Sequence, residues 1–255
     1  MFRNLYADTR KIFFCRGFYE GVTAIIFYQV FGGFVLWLLT VFLIQGHMAS
    51  EDIFFSYSTI ATFVVTVTTL FVTQGDFDDG CIRNKLISGV KRSDAFLSAI
   101  ISGMLQGVLL SVVAFVFSMA VLPIFTEGFM SYTIPEIANY WFVITLSSMS
   151  IGAFSTALIM IFGGSKISYV VGLAIAFVMR VLDTHVLDKL FPEKGNCTLT
   201  GAKLALYKFI DRFIPYSYFS MEPHWDTVSY LVGCLGLILI STAVGLFVFD
   251  KKEIH

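Results

Sequence analysis

Residues 96–122 read F-L-S-A-I-I-S-G-M-L-Q-G-V-L-L-S-V-V-A-F-V-F-S-M-A-V-L, without one charged side chain. A helix needs about 20 mostly apolar residues to cross the hydrocarbon core of a bilayer. A soluble helix of this length would show a polar stripe. Five further runs meet the same test, at residues 23–44, 55–73, 140–163, 167–182 and 227–249. The fifth in chain order, 167–182, is the shortest, and its apolar character continues past Arg180 toward Phe191. Composition agrees. The 255 residues are 57% hydrophobic and 14% charged, with a mean hydropathy of +0.81, where soluble domains are roughly a quarter charged. Every backbone amide in lipid must be bonded internally, so apolar runs between charged segments read as helices. A barrel would instead alternate over ten-residue strands. The predicted fold is an all-α polytopic membrane protein of six spans, forming a single transmembrane unit over 1–255. No small-residue cleavage site follows the first run, so it is expected to stay in the chain.

Lys and Arg set the orientation. Arg3, Arg10, Lys11, Arg16, Arg83, Lys85, Lys91, Arg92, Lys166, Lys251 and Lys252 fall on one side of the six runs. Loops 45–54 and 123–139 on the other side hold none. Both termini are therefore expected in the cytoplasm. The N-terminal segment, 1–22, interleaves Phe2, Leu5, Tyr6, Ile12, Phe13 and Phe14 with cations and reads as an interfacial helix. Residues 74–95 form a predicted cytoplasmic loop, Q-G-D-F-D-D-G-C-I-R-N-K-L-I-S-G-V-K-R-S-D-A. Within it a short helix over 82–88 is expected, ended by Gly89, with Ile82, Leu86 and Ile87 on one face. The extracellular segment, 183–226, carries Ala202, Leu206, Phe209, Ile210 and Phe213 at helical spacing, with Lys203, Lys208 and Arg212 opposite. That predicts an amphipathic helix, either re-entrant or resting on the surface, broken by Pro215 and Pro223.

Polar groups inside the spans are few. Thr59, Thr62, Thr66, Thr69 and Thr73 make one hydroxyl stripe, which either lines a pathway or packs against neighbouring helices. Gln29 needs a partner at bilayer depth, either a neighbouring helix or a substrate. Gly103 and Gly107 form a G-x-x-x-G that predicts close helix packing. Arg180 is the only cation within a span, and Asp183 is placed to pair with it. Cys15, Cys81, Cys197 and Cys234 suggest no internal disulfide. His47, His185, His224 and His255 have no metal-ligand spacing. Asn196-Cys197-Thr198 matches a glycosylation sequon only by chance in a bacterial chain.

Three stretches carry a family resemblance: L-Y-A-D-T-R-K-I-F near the N-terminus, D-D-G-C-I-R-N-K-L-I-S-G-V-K-R-S-D-A-F-L in the loop, and the ending G-L-F-V-F-D-K-K-E-I-H. Together they resemble the type-2 permease family of ATP-binding-cassette transporters, in its small six-span bacterial form. Asp79 stands where members often carry a glutamate before the loop glycine, and Gly89-Val90 where they often carry a proline. The resemblance implies that the short helix is a coupling helix, with Asp79, Gly80, Ile82, Arg83, Asn84, Lys85, Leu86 and Lys91 contacting a separate ATPase subunit. It implies a two-fold pairing with a second copy or a homologous permease, for which Gln29 and the threonine stripe are the candidates to line the pathway. No cofactor is expected on this chain, ATP and Mg belonging to the partner. A phosphate-cradling loop needs G-x-x-x-x-G-K-[ST]. Gly75 and Gly80 have the glycine spacing, but Cys81 and Ile82 follow; G-G-S-K at 163–166 is too short. The implied function is export of an amphipathic or hydrophobic substrate (peptide, peptide antibiotic or toxin, drug, or lipid-like molecule). The alternatives are an ATPase-independent membrane immunity or channel protein, or an intramembrane enzyme. No pairing of serine with histidine or of acids at bilayer depth favours an enzyme.

Overall fold

The computed structural model describes residues 2–44, 48–126, 128–192, 197, 199–219 and 226–251, without the side chains of 2, 3, 43 and 44. Lys252, His47, His224, His255, Pro223, Asn196 and Thr198 lie outside the described residues. Among the described residues ten α-helices follow in order: α1 Phe2–Ile12, α2 Arg16–Leu39, α3 Ser50–Phe54, α4 Tyr57–Asp78, α5 Cys81–Ile87, α6 Arg92–Phe125, α7 Ile134–Phe162, α8 Ile167–Leu190, α9 Gly201–Phe213 and α10 Thr227–Lys251. A π-helical turn, Thr40–Ile44, extends α2, and a 3-10 turn, Pro215–Phe219, follows α9. Six of these helices are long and apolar enough to cross a membrane. The chain is a multi-pass helical membrane protein.

The spans run further than the apolar runs alone predict. The first starts at Arg16, not residue 23, because Arg16 and Glu20 neutralise each other one turn apart, at 2.8 Å, on the exposed first turn. The N-terminal helix expected over 1–22 is correspondingly shorter, ending at Ile12. The fifth continues to Leu190, because Arg180 pairs with Asp183 at 3.2 Å and the helix need not end at the charge. The third accepts Pro123 two residues from its end. There the proline removes one bond of the last turn rather than breaking an interior one.

Each helix is placed by what it buries. α4 and α7 are the central pair, with about two thirds or more of their apolar windows buried (67% and 72%); α2, α8 and α10 are peripheral, at 17–22%. Phe27, Phe31, Phe177, Leu239 and Phe247 on the peripheral helices face outward. An outward apolar belt suits lipid and would be a liability in water. α6 and α7 form the most extensive pair. Gly103 and Gly107 of α6 meet Gly152 and Ser148 of α7 backbone to backbone, as the G-x-x-x-G predicts. A second G-x-x-x-G, Gly17 and Gly21, seats α2 on Thr68 and Phe71 of α4.

The bundle has two ends. The proximal end carries α1, α5, the α7–α8 turn and the C-terminal end of α10. Arg92 there donates to the carbonyl of Asp250 at 3.2 Å. The distal end carries α3, the segment before α7, and α9. Phe54, Phe115, Phe129 and Trp141 pack at ring distances of 5.3–5.8 Å and hold α3 against α6 and α7. Glu51 fastens the segment before α7, its carboxylate accepting from the backbone N–H of Met130 at 2.7 Å and of Ser131 at 2.6 Å. Charge-assisted bonds of this kind contribute more than neutral ones. Glu51→Ala is expected to lower stability by about 2 kcal/mol and to speed proteolysis within 128–133 in detergent. Unchanged nicking would show that the carboxylate holds nothing.

The amphipathic helix of the distal segment forms as α9. Leu206 and Phe209 face outward, while Asp211 is buried. The 3-10 turn after it is buried throughout and returns into the bundle. Tyr216 reaches Phe154, in the C-terminal third of α7, at 6.3 Å. The Tyr218 hydroxyl donates to the Arg212 carbonyl at 2.7 Å, and its ring meets Tyr230 of α10 at 4.5 Å.

Candidate functional site

The α4–α5–α6 corner at the proximal end concentrates the residues singled out in the sequence. Gly80 enters α5 with φ +68°, and Gly89 leaves it with φ +86°. Both are left-handed conformations that a side chain would strain. After Gly89 the chain closes with Val90 N–H on the Lys85 carbonyl, a helix-ending bond, at 3.1 Å. A seven-residue helix is thus braced at both ends between two spans.

Its faces divide sharply. Ile82 is 3% exposed, and Leu86 is half-buried beside it in the same apolar cluster. Ile87 does not join them: it is 74% exposed. The reason is angular. Four residues advance an α-helix by about 40° beyond a full turn, whereas five advance it by about 140°, so Ile87 leaves the face shared by Ile82 and Leu86. Arg83, Asn84, Asp79 and Lys91 are exposed.

Lys85 is not free with them. It is half-buried and ion-paired with Asp8 of α1. Beside that pair, Lys11 donates to Asp76 at 2.6 Å and lies 3.7 Å from Asp79. Burial works to lower the Lys11 ammonium, but the hydrogen bond and charge of Asp76 outweigh it and hold it above its ordinary value. Asp8, Lys11 and Asp76 are not among the residues that the sequence assigns to the coupling contact. Their one advance signal is that Asp8 is the only acid in a helix otherwise basic. The corner is tied onward to the α7–α8 turn as well. Gln74 donates to Asp78 at 2.8 Å and to the Gly164 carbonyl at 2.7 Å.

The threonine stripe divides too. Thr62, Thr66, Thr69 and Thr73 are buried within this chain's own bundle, and Thr59 alone is exposed. α4 is a central helix, so most of the stripe meets α7 and α8 before any second copy could reach it. Thr66 and Leu70 approach Gly172 of α8. Gln29 is fully buried and donates to the Ala114 carbonyl at 3.0 Å and to Ser118 at 2.6 Å, so it ties α2 to α6. Thr59 instead borders a cavity of about 250 Å³ at the distal end, with Ser58, Arg180, Asp183, Thr184 and Asp188. A mostly apolar cleft of about 300 Å³ lies between α2 and α4, lined by Ala24, Phe63, Val67 and Phe71 together with Thr68 and the exposed Glu20.

Comparison with protein-family models and with curated proteins returned no match for this chain.

Proposed function

We propose that this chain is the transmembrane permease subunit of an ATP-binding-cassette exporter, moving an amphipathic or hydrophobic substrate out of the cell with a separate ATPase. One observation carries the reading. α5 is a short, glycine-bounded helix anchored in two spans, and it turns Arg83, Asn84 and Ile87 outward while Ile82 and Leu86 hold it to the bundle. An element anchored that way moves with the spans, so a partner gripping it can bias two arrangements of the bundle. In this reading α5 is the coupling helix, the proximal end is cytoplasmic, and a second copy or homologous permease completes the transporter. The partner holds ATP and Mg.

The substrate class follows from the interior. The cleft between α2 and α4 is lined mostly by apolar side chains; Thr68 adds a buried hydroxyl, and its one ionisable group, Glu20, is exposed and already paired with Arg16. An ion would find little there to replace its hydration. An amphiphile would exchange lipid for a similar surface.

The roles within α5 also separate. Arg83 is the exposed contact, while Lys85 holds α1. Arg83→Glu is expected to reduce stimulation of the partner ATPase about tenfold, as loss of a charge across an interface does, and to leave the solubilised chain monodisperse. The assay needs a soluble chain with a G-x-x-x-x-G-K-[ST] loop encoded beside this one. Failure of that chain to copurify, or full stimulation with Arg83→Glu, would count against the coupling role.

A further inference from the structure

α1 has two occupied faces of different chemistry. Its inward face carries Asp8, Lys11 and Ile12. Ile12 is fully buried, Asp8 pairs with Lys85 of α5, and Lys11 bridges Asp76 and Asp79 of the α4 end. Its outward face carries Tyr6 and Arg10, and Phe13 and Phe14 follow in the turn that leaves it, all exposed. The Arg10 guanidinium lies 5.7 Å over the Phe14 ring. The only acid of α1 is turned inward, so among its described side chains the outward face presents a cation and an aromatic ring with no acid beside them.

The orientation of that face is fixed by the turn behind it. Phe13 meets Phe18 edge-on at 6.4 Å, and the Tyr19 hydroxyl donates to the Phe13 carbonyl at 2.8 Å. The outward rings of α1 therefore continue into the exposed side of the first span, where Tyr19 and then Phe27 and Phe31 follow, the last two stacked at 5.3 Å. The apolar belt of the bundle thus ends against α1, at the level of lipid headgroups. Aromatic rings settle at any such interface, but an arginine with no acid beside it distinguishes headgroups by charge.

We propose that the outward face of α1 docks on negatively charged phospholipid headgroups, and that this docking steadies α5 through the Asp8–Lys85 and Lys11–Asp76 pairs. The two ends of this linkage are reciprocal: lipid that favours the docked helix must favour the paired α5. If α1 lifts away, Lys85 loses Asp8 and Asp76 loses Lys11, and these side chains, 18% and 14% exposed, keep only their weaker attraction to each other. The proposal needs only this chain and a bilayer, so it stands or falls independently of any ATPase partner.

The test is amide hydrogen exchange of residues 81–87 in the full chain, reconstituted in phosphatidylcholine bilayers with and without phosphatidylglycerol. Phosphatidylglycerol is expected to slow exchange there about fivefold, and high salt to erase the difference. Arg10→Glu should remove the lipid dependence while the spans stay protected. Asp8→Asn should keep α1 sensitive to the lipid but leave 81–87 fast in both bilayers. Equal exchange in both lipids for the unaltered chain, or a full lipid effect in Arg10→Glu, overturns headgroup docking. Slowing of α1 without slowing of 81–87 overturns the transmission to α5.

Discussion

Gly107→Ala is expected to destabilise the protein by about 3 kcal/mol, the upper range for overpacking, and to lower its thermal midpoint in detergent by many degrees. A Cβ at residue 107 would sit 2.6 Å from the carbonyl carbon of Ser148 and 2.9 Å from the Met149 nitrogen. Those atoms are backbone of the most buried span. They cannot rotate aside as a side chain would, so two helices must part. Gly103 and Gly152 share the contact. A Cβ at Gly103 would lie 2.8 Å from the Gly152 carbonyl oxygen, and one at Gly152 would lie 3.0 Å from the Gly103 carbonyl carbon. Without a hydrophobic drive between helices in lipid, such close packing is a main source of association. Gly32 and Gly236 supply the control. Both lie within spans, and a Cβ there meets nothing within 4 Å. Gly236→Ala and Gly32→Ala are expected to be neutral or to stabilise by about 0.5–1 kcal/mol through helix propensity. Differential scanning of the three alanine variants in one detergent reads the contrast. Equal midpoints for Gly107→Ala and Gly236→Ala would mean that α6 and α7 are not in backbone contact.

That contrast also measures how far the sequence could be read. The spans were legible because a bilayer imposes a length on apolar runs, and six runs satisfy it. Their ends were less so. Arg16, Asp76 and Asp78 belong to helices whose charged turns a hydropathy criterion excludes, and each finds a counter-charge or hydrogen bond only once the chain has folded. Gly103 and Gly107 announced close packing because they lie inside a run. Gly17 and Gly21 have the same spacing, yet they fall in the segment assigned to the interfacial helix, and only the position of α4 shows that Thr68 fills the space beside Gly21. The hydroxyl stripe of α4 was visible as a periodicity. Periodicity alone does not say which neighbour a face meets, and here four of its five threonines meet the chain's own interior.

The least legible residue of the site was Lys85, and its variants should separate structure from coupling. Sequence spacing groups Lys85 with Arg83, two residues apart on the same short helix. Its charge partner, Asp8, is 77 residues away and 6% exposed in its side chain. Lys85→Glu would set two carboxylates against each other in a half-buried site, with Asp76 nearby. Exposed ion pairs contribute up to about 1 kcal/mol, and breaking a fully buried pair costs about 3–5 kcal/mol. At the intermediate burial of this pair, about 2 kcal/mol is expected, borne by the docking of α1 and not by the spans. Arg83→Glu, exposed and two residues away, should leave stability unchanged. Proteolysis after Arg10 or Lys11 in detergent reads the docking directly, because α1 must leave the bundle before a protease can enclose its backbone. Lys85→Glu should speed that cleavage at least tenfold, and Asp8→Lys combined with Lys85→Glu should restore most of the protection by reversing the pair. Rescue by the double reversal is the deciding result. It requires the two charges to meet, whereas general damage to α5 would persist or worsen. If the double variant is cleaved as fast as Lys85→Glu alone, Asp8 and Lys85 do not meet, and α1 is not held to α5 by this pair.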